Sequence, residues 1–485
     1  MNFNFKVIFK ILGILLILNG IFMLLCIPFS LYYGEGDLSA LLASSCITIV
    51  SGSLMMLFSR NNKRKELRKR EGYLVVTAGW LAMSFFGTLP YIISGAIPDL
   101  TNAFFETLSG FSTTGATIIT DIESVHKGIL FWRSLTQWIG GMGIIVLTVA
   151  ILPILGIGGM QLFVAEAPGI SPDKLQPRIK ETAKRLWYIY LGLTLTETVL
   201  LWVGGMTFYD AINHALTTMA TGGFSTKNAS IAYYQAPFIQ YVLIVFMFIA
   251  GTNFTMTYFV MKGKFAKVYS NEEFRTYLFV SVAISIIVGL TIYGLGHDDF
   301  EKSMRDALFQ VVSVITTTGY ITHDYTAWTS FITIIFFVMM FFGASAGSTA
   351  GGVKIVRHLI LIKNSLLELK RQIHPSAVIP VRFNRKAVSR DITFNILAFI
   401  MIYISIFAMG SVVMGILGLD MMTAIGAVAT CLGNIGPGLG TVGPEDNFEH
   451  LPALGKWFLA FLMLLGRLEL FTVLILFTPY FWNKI

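Results

Sequence analysis

The chain has 485 residues, of which 55% are hydrophobic and only 13% charged, too little polar surface to close over a soluble core. A soluble enzyme is thereby excluded, and the net charge of +8 does not indicate nucleic acid, because it lies mostly in basic stretches that flank apolar runs. Cys26, Cys46 and Cys431 sit in apolar runs without metal-ligand spacing, and no HExxH, CxxC, GxSxG or phosphate-loop pattern occurs. Neither catalysis nor an organic cofactor is expected.

Apolar runs near twenty residues predict ten spanning helices, at 11–33, 38–59, 73–98, 128–160, 186–208, 237–261, 276–295, 328–362, 392–418 and 457–481. The expected class is an all-α polytopic membrane protein in a lipid bilayer. The first run is too long for a signal peptide, and no small-residue cleavage site precedes the second, so it should remain as a span. With the N-terminus in the cytoplasm, 28 of the 35 Lys and Arg fall on that side, including the stretches Arg60 to Arg70 and Lys370 to Arg390. Lys127, Arg133, Lys227, Lys302, Arg305 and Lys456 fall outside, and Arg467 lies within a span. Both termini are therefore expected to be cytoplasmic.

Four short polar stretches between the long runs share one internal signature. Asn102-Ala103 leads to Thr113-Thr114-Gly115, Asp210-Ala211 to Thr221-Gly222-Gly223, Asp306-Ala307 to Thr317-Thr318-Gly319, and Thr423-Ala424 to Asn434-Ile435-Gly436. In each copy a residue of capping type followed by Ala sits thirteen positions before a Gly. Asn102, Asp210, Asp306 and Thr423 read as helix N-caps. About ten helical residues follow, roughly 15 Å, which is half the hydrocarbon thickness. Such a helix must enter and turn back, with the negative end of its dipole toward the Gly-containing stretch. Carbonyls from four such stretches can replace the hydration shell of a monovalent cation. Small residues also allow close helix packing, but recurrence four times in one register favours a four-fold pore.

At these residues the chain resembles a known family. TTGAT at 113–117, GGFST at 222–226, TTTGY at 316–320 and NIGPGLG at 434–440 resemble the four selectivity-filter segments of the Trk, Ktr and HKT superfamily of potassium transporters. QWIGGMGIIVL at 137–147, ILPILGIGGMQL at 151–162, AGSTAGGVKIVR at 346–357 and GRLELFTVLILFTP at 466–479 are similar to its bacterial Trk branch, which the extra helix pair at 11–59 also fits. The resemblance implies four M1–pore helix–filter–M2 repeats forming a pseudo-four-fold pore, preceded by two extra transmembrane helices. It divides the chain into 1–71, the helix pair and a basic loop, and repeats at 72–170, 171–270, 271–385 and 386–485. The implied filter is Thr113, Thr114, Gly115, Thr221, Gly222, Gly223, Thr317, Thr318, Gly319, Asn434, Ile435 and Gly436, with K+ as the transported ion. Gly115 stands where relatives that prefer sodium often carry Ser. Asn434, Ile435 and Pro437 depart from the other copies and imply weaker discrimination than a symmetric channel achieves.

Two features lie below this level. The run from Gly343 to Gly352 is too poor in helix formers to continue its span. It either kinks a packing helix or lines a cavity, and the resemblance identifies it as a gating loop that includes Gly347, Ser348, Thr349, Gly351 and Gly352. Lys354 and Arg357, which follow it, read as markers of the membrane face. Arg467 lies ten residues into the last span, where an ionisable group faces a protein interior or a water-filled path. It is expected to hold the loop through its carbonyls, with a structural salt bridge as the alternative. Glu469, two residues on, points elsewhere on a helix and is not an obvious partner.

The resemblance further implies a homodimer in the bacterial cytoplasmic membrane, docked on a cytosolic TrkA-like ring of nucleotide-binding regulatory domains. The basic stretches at 174–185 and 370–390 are candidate docking surfaces, although membrane-flanking charge alone also explains them. No dinucleotide fingerprint occurs, so a nucleotide belongs on the partner. The expected function is potassium uptake through a gated pore. A secondary transporter that rocks its repeats is the alternative, disfavoured because the repeats share one orientation rather than forming inverted halves.

Overall fold

The computed structural model describes residues 3–60, 69–143, 179–296, 299–374, 377 and 379–483. The expected continuation of the fourth span to residue 160, the motif at 151–162 and the basic stretch up to residue 178 lie outside the described residues.

Prolines and glycines set the ends of the first helices. Phe5–Leu24 continues as Ile27–Tyr33, which has Pro28 in its first turn and stops at Gly34 in the left-handed region. This span packs on Leu38–Phe58 through Gly13 and Gly52, where a Cβ on either glycine would lie 2.6 Å from the carbonyl oxygen of the other. With no water to drive association, close backbone approach of this kind is what holds two lipid-immersed helices together. Ser45 Oγ donates to Gly20 O across the same pair (2.8 Å), and Asn19 donates to Met83 O (3.3 Å) in the next span.

Four similar units follow, each with an outer helix, a short pore helix, a signature strand and an inner helix. The outer helices are Lys69–Gly87, Ile179–Val203, Glu272–Gly294 and Arg390–Ile416. The pore helices are Leu100–Phe111, Phe208–Met219, Phe300–Ile315 and Met421–Gly433, and nearly every residue in their second halves is buried. Many large apolar side chains on the outer helices are exposed, among them Phe279 (72%) and Ile416 (78%), which suits a surface that meets lipid. Among the described residues six helices are long and apolar enough to span a membrane, and two bent helix pairs each add a further span.

Three of the inner helices are broken. One interruption was expected, at 343–352, between what are now Ser330–Met339 and Ile355–Ile373. The spans read as continuous at 237–261 and 457–481 are broken as well. Pro237–Ala250 meets Phe254–Met261 at 112°, and Ala453–Arg467 meets Leu470–Phe477 at 116°. The first break falls at Gly251, with Asn253 capping the new helix, and the second at Gly466 to Glu469, where Glu469 has φ 58°. The remaining inner helix, Lys127–Gly141, ends in a pair of glycines. A two-stranded hairpin pairs Arg382–Phe383 with Lys386–Ala387, and its turn residues Asn384 and Arg385 are both at positive φ.

Because Gly52 faces a carbonyl at 2.6 Å, Gly52→Leu should force the first two spans apart at a cost of about 1–3 kcal/mol. The midpoint of thermal unfolding in detergent should fall for this variant, while Val50→Leu on the exposed face of the same helix should leave it unchanged.

Candidate functional site

The pore helices begin earlier than their signature residues imply. The N-caps are Asp99, Thr207, Asp299 and Asp420, all with extended backbone. Asp99, Thr207 and Asp420 accept from the backbone N–H of Asn102, Asp210 and Thr423, which therefore stand at the third helical position rather than capping. Asp306 lies deeper still, within the third helix. In the second helix the arrangement is reciprocal, since Thr207 Oγ1 also donates to the Asp210 carboxylate (2.8 Å). Acidic and polar groups in this first turn complement the positive end of the dipole.

At the other end all four pore helices stop in the same way. Thr113, Thr221, Thr317 and Asn434 take left-handed backbone, with φ between 52° and 55°. The next residue reaches back to a carbonyl five positions earlier: Thr114 N to Ser109 O, Gly222 N to Thr217 O, Thr318 N to Ser313 O and Ile435 N to Thr430 O, at 2.8–3.0 Å. These are the bonds of a Schellman cap, which consume the last helical carbonyls and turn the chain sharply upward. Asn434, the departure in the fourth copy, is a residue that tolerates this backbone better than Thr does. One residue further, Gly115, Gly223, Gly319 and Gly436 all have positive φ, from 74° to 107°.

The four signature strands close into a ring. A Cβ on Gly115 would lie 2.2 Å from Gly222 O, on Gly223 1.9 Å from Thr318 O, on Gly319 2.0 Å from Ile435 O, and on Gly436 2.9 Å from Thr114 O. Each glycine thus faces the carbonyl at the middle position of the next strand, and the fourth strand returns to the first. The structure therefore brings together all twelve residues picked out by the four signatures. No group of three or more His, Cys, Asp or Glu is placed to hold a metal ion among the described residues, and the oxygens that face the neighbouring glycines are backbone carbonyls.

Polar groups behind the ring fix the strands, and sequence reading missed most of them. Arg133, counted in the sequence only as a basic residue outside the cytoplasmic side, is 2% exposed and pairs with the fully buried Glu106 at 2.6 Å. Glu106 also accepts from Thr117 Oγ1 and from Ile118 N (2.9 Å), while Arg133 donates to Ser225 O (3.0 Å) and lies 3.5 Å from the Phe224 ring centre. One ion pair thereby holds strands one and two. Gln137, on the first inner helix, holds strand two at two points, donating to Gly222 O (2.6 Å) and accepting from Phe224 N (3.1 Å). Strands two and three meet through the Tyr320 hydroxyl, which donates to His214 O (3.0 Å) and contacts Thr217 Oγ1 (2.5 Å), while the His214 ring reaches Ser225 Oγ (2.9 Å). Asn434 donates to Thr114 Oγ1 and to Met463 O, both at 2.9 Å, tying the fourth strand to the first.

The loop from Gly343 to Gly352 lies against the helical side of this ring. Gly351 N donates to Thr317 Oγ1 (2.7 Å), and Thr349 Oγ1 donates to Met219 O at the end of the second pore helix (3.0 Å). Carbonyls left free by the inner-helix breaks accept from the loop, with Ser345 N on Gly251 O (3.0 Å) and Thr349 N on Ala250 O (3.4 Å). Arg467 donates to Thr349 O (2.6 Å) and to Gly140 O and Gly141 O (2.6 and 3.0 Å), joining the loop to two other inner helices. Glu469 pairs with Arg357 at 2.5 Å. The reading of Lys354 and Arg357 as face markers is corrected: Lys354 Nζ turns in to Ala350 O and Gly351 O, and Arg357 is buried. Gly347, Ser348, Thr349, Gly351, Gly352 and Arg467 all line one cavity of about 230 Å³.

Comparison with known proteins places this geometry in context. The TrkH family model, described as a cation transport protein, matches residues 38–484. The Trk system potassium uptake protein TrkH of Escherichia coli (strain K12) is 41% identical over 489 residues, covering 99% of this chain and all of that protein. The TrkG protein of the same strain is 33% identical over 483 residues, covering 99% of each. The crystal structure of the potassium transporter TrkH from Vibrio parahaemolyticus superposes with a TM-score of 0.89 at 38% identity, covering 99% of this chain and all of that one.

Removing Arg133 strands the Glu106 carboxylate in a dry interior, so Arg133→Met should destabilise by about 3–5 kcal/mol. The double variant Glu106→Gln with Arg133→Met should recover part of that loss. Thermal unfolding in detergent checks both.

Proposed function

The chain belongs to the TrkH family of cation transport proteins, and from that premise we propose that it takes up potassium through the centre of the four-strand ring. The closed ring carries this reading. Four pore helices end at it, so the negative ends of four dipoles converge where a cation would lose its water. The middle carbonyls of Thr114, Gly222, Thr318 and Ile435 each face the glycine of a neighbouring strand, with Gly222 O also accepting from Gln137, and carbonyl oxygens gathered in this way can substitute for hydration. We assign Thr113, Thr114, Gly115, Thr221, Gly222, Gly223, Thr317, Thr318, Gly319, Asn434, Ile435 and Gly436 to the selectivity filter.

In this reading the loop from Gly343 to Gly352 is the gate. It sits under the ring, and Arg467 fastens its Thr349 carbonyl while placing a positive charge below the ion path. The basic side of the membrane is assigned to the cytoplasm, which places both termini there. A homodimer and a cytosolic regulatory ring of the TrkA kind complete the proposed system, with the hairpin within 370–390 as a docking surface.

Gly115→Ser or Gly223→Ser should weaken the preference for potassium over sodium, since both positions have positive φ and a Cβ there meets a neighbouring carbonyl within 2.2 Å. Gly436→Ser, with 2.9 Å available, should be the milder change. Unchanged relative permeabilities for Gly115→Ser and Gly223→Ser in proteoliposomes contradict the filter assignment.

Arg467→Ala removes charge-assisted bonds worth roughly 1.5–3 kcal/mol each. Flux without any cytosolic partner should then rise about ten- to a hundred-fold. Flux that stays at the unmodified level in folded, inserted protein returns the loop to a packing role.

A further inference from the structure

Resting on the gate reading above, we propose that the segment from Phe254 to Tyr269 is an arm that binds anionic lipid headgroups and thereby keeps the loop beneath the ring. The helix Phe254–Met261 leaves the spanning helix Pro237–Ala250 at 112°, so it does not continue that span, and we take it to lie along the membrane surface. Its inner face, with Phe254, Met256 and Thr257, is buried, while Val260 and Met261 are exposed. The short helix Phe265–Tyr269 continues the outer face with exposed Phe265 and Tyr269.

Charge selects the partner. Residues 254–270 carry Lys262, Lys264 and Lys267 and no Asp or Glu, and all three lysines are exposed. No carboxylate pairs with them among the described residues, and Lys267 lies 5.1 Å from the Phe259 ring centre. Exposed aromatic and aliphatic groups beside unpaired lysines, on a helix lying in the membrane plane, match the boundary between acyl chains and anionic phosphates.

The arm and the loop share hydrogen bonds. Asn253 caps the arm by accepting from Thr255 N (2.8 Å), and the same side chain donates to Ala346 O (2.6 Å). Phe254 N, left without a helical acceptor at this N-terminus, donates to Gly347 O (3.1 Å). The carbonyls of Ala346 and Gly347, two or three residues from the Thr349 that Arg467 holds, are thus partners of the arm itself. Lifting the arm from the membrane surface breaks these bonds and frees one limb of the loop.

The test uses the full chain in vesicles of phosphatidylcholine alone or mixed with phosphatidylglycerol, with two readouts that need no ion flux. A fluorophore attached through Met261→Cys in a Cys46→Ser background reports the arm by acrylamide quenching, because Cys26 and Cys431 are buried. Hydrogen exchange of peptides spanning 343–352 reports the loop. Phosphatidylglycerol should shield the fluorophore and slow loop exchange by roughly ten-fold. The triple variant Lys262→Gln, Lys264→Gln, Lys267→Gln should lose both effects. Asn253→Asp, which keeps the cap but cannot donate to Ala346, should keep the shielding and lose the slowed exchange. Quenching that is the same in both lipids, or that changes only when a cytosolic protein partner is added, overturns the lipid assignment. Loop exchange indifferent to both variants overturns the coupling. A chain that carries no potassium would leave these two readouts standing, so the two readings fail separately.

Discussion

Inside a bilayer no water is available to a backbone group that loses its helical partner, so every broken helix must find internal acceptors and donors. This constraint governs the whole central region. Three inner helices break beneath the ring and the described helix Lys127–Gly141 ends there, and the freed carbonyls of Gly140, Gly141, Ala250 and Gly251 are taken up by Arg467 and by loop amides. The loop in turn spends its own N–H groups on Thr317 and Glu273, the latter accepting from Ala346 N at 2.6 Å. Breaks and loop are therefore one hydrogen-bonded system, and neither is satisfied without the other. A gate built this way has few alternatives, because displacing the loop exposes several unpaired groups together.

The ring above it is ordered by the same economy. Four Schellman caps use up the helical carbonyls and point the following backbone away from the helices. The middle carbonyl of each strand faces the glycine of a neighbouring strand. Rigidity comes from outside the ring, through the buried Glu106 and Arg133 pair, the Gln137 bonds to strand two and the Tyr320 bridge. Substitutions behind the ring should therefore act on its geometry without touching the path.

Hydropathy made the spans legible, and four-fold recurrence made the ring legible, because both depend on local composition. The helix starts were misplaced because Asn102, Asp210 and Thr423 are of capping type but serve at the third helical position, three residues inside the true caps. The breaks at Gly251 and Gly466 were missed because apolar residues continue on both sides and hide the turn from a window average. The buried pairing of Arg133 was not legible because its partner, Glu106, lies 27 residues away on another element. Lys354 and Arg357 were misread for the same reason: only the fold reveals that a basic pair after a glycine-rich stretch turns back into it. Such non-local partners leave no trace in spacing.

The central assignment is that the ring holds a partly dehydrated monovalent cation. Rubidium, a heavier analogue of potassium, locates such a site directly by anomalous scattering from crystals grown in its presence. A peak on the axis of the ring, between the carbonyls of Thr114, Gly222, Thr318 and Ile435, is the expected result. An intact ring with no peak on its axis at saturating rubidium contradicts the assignment.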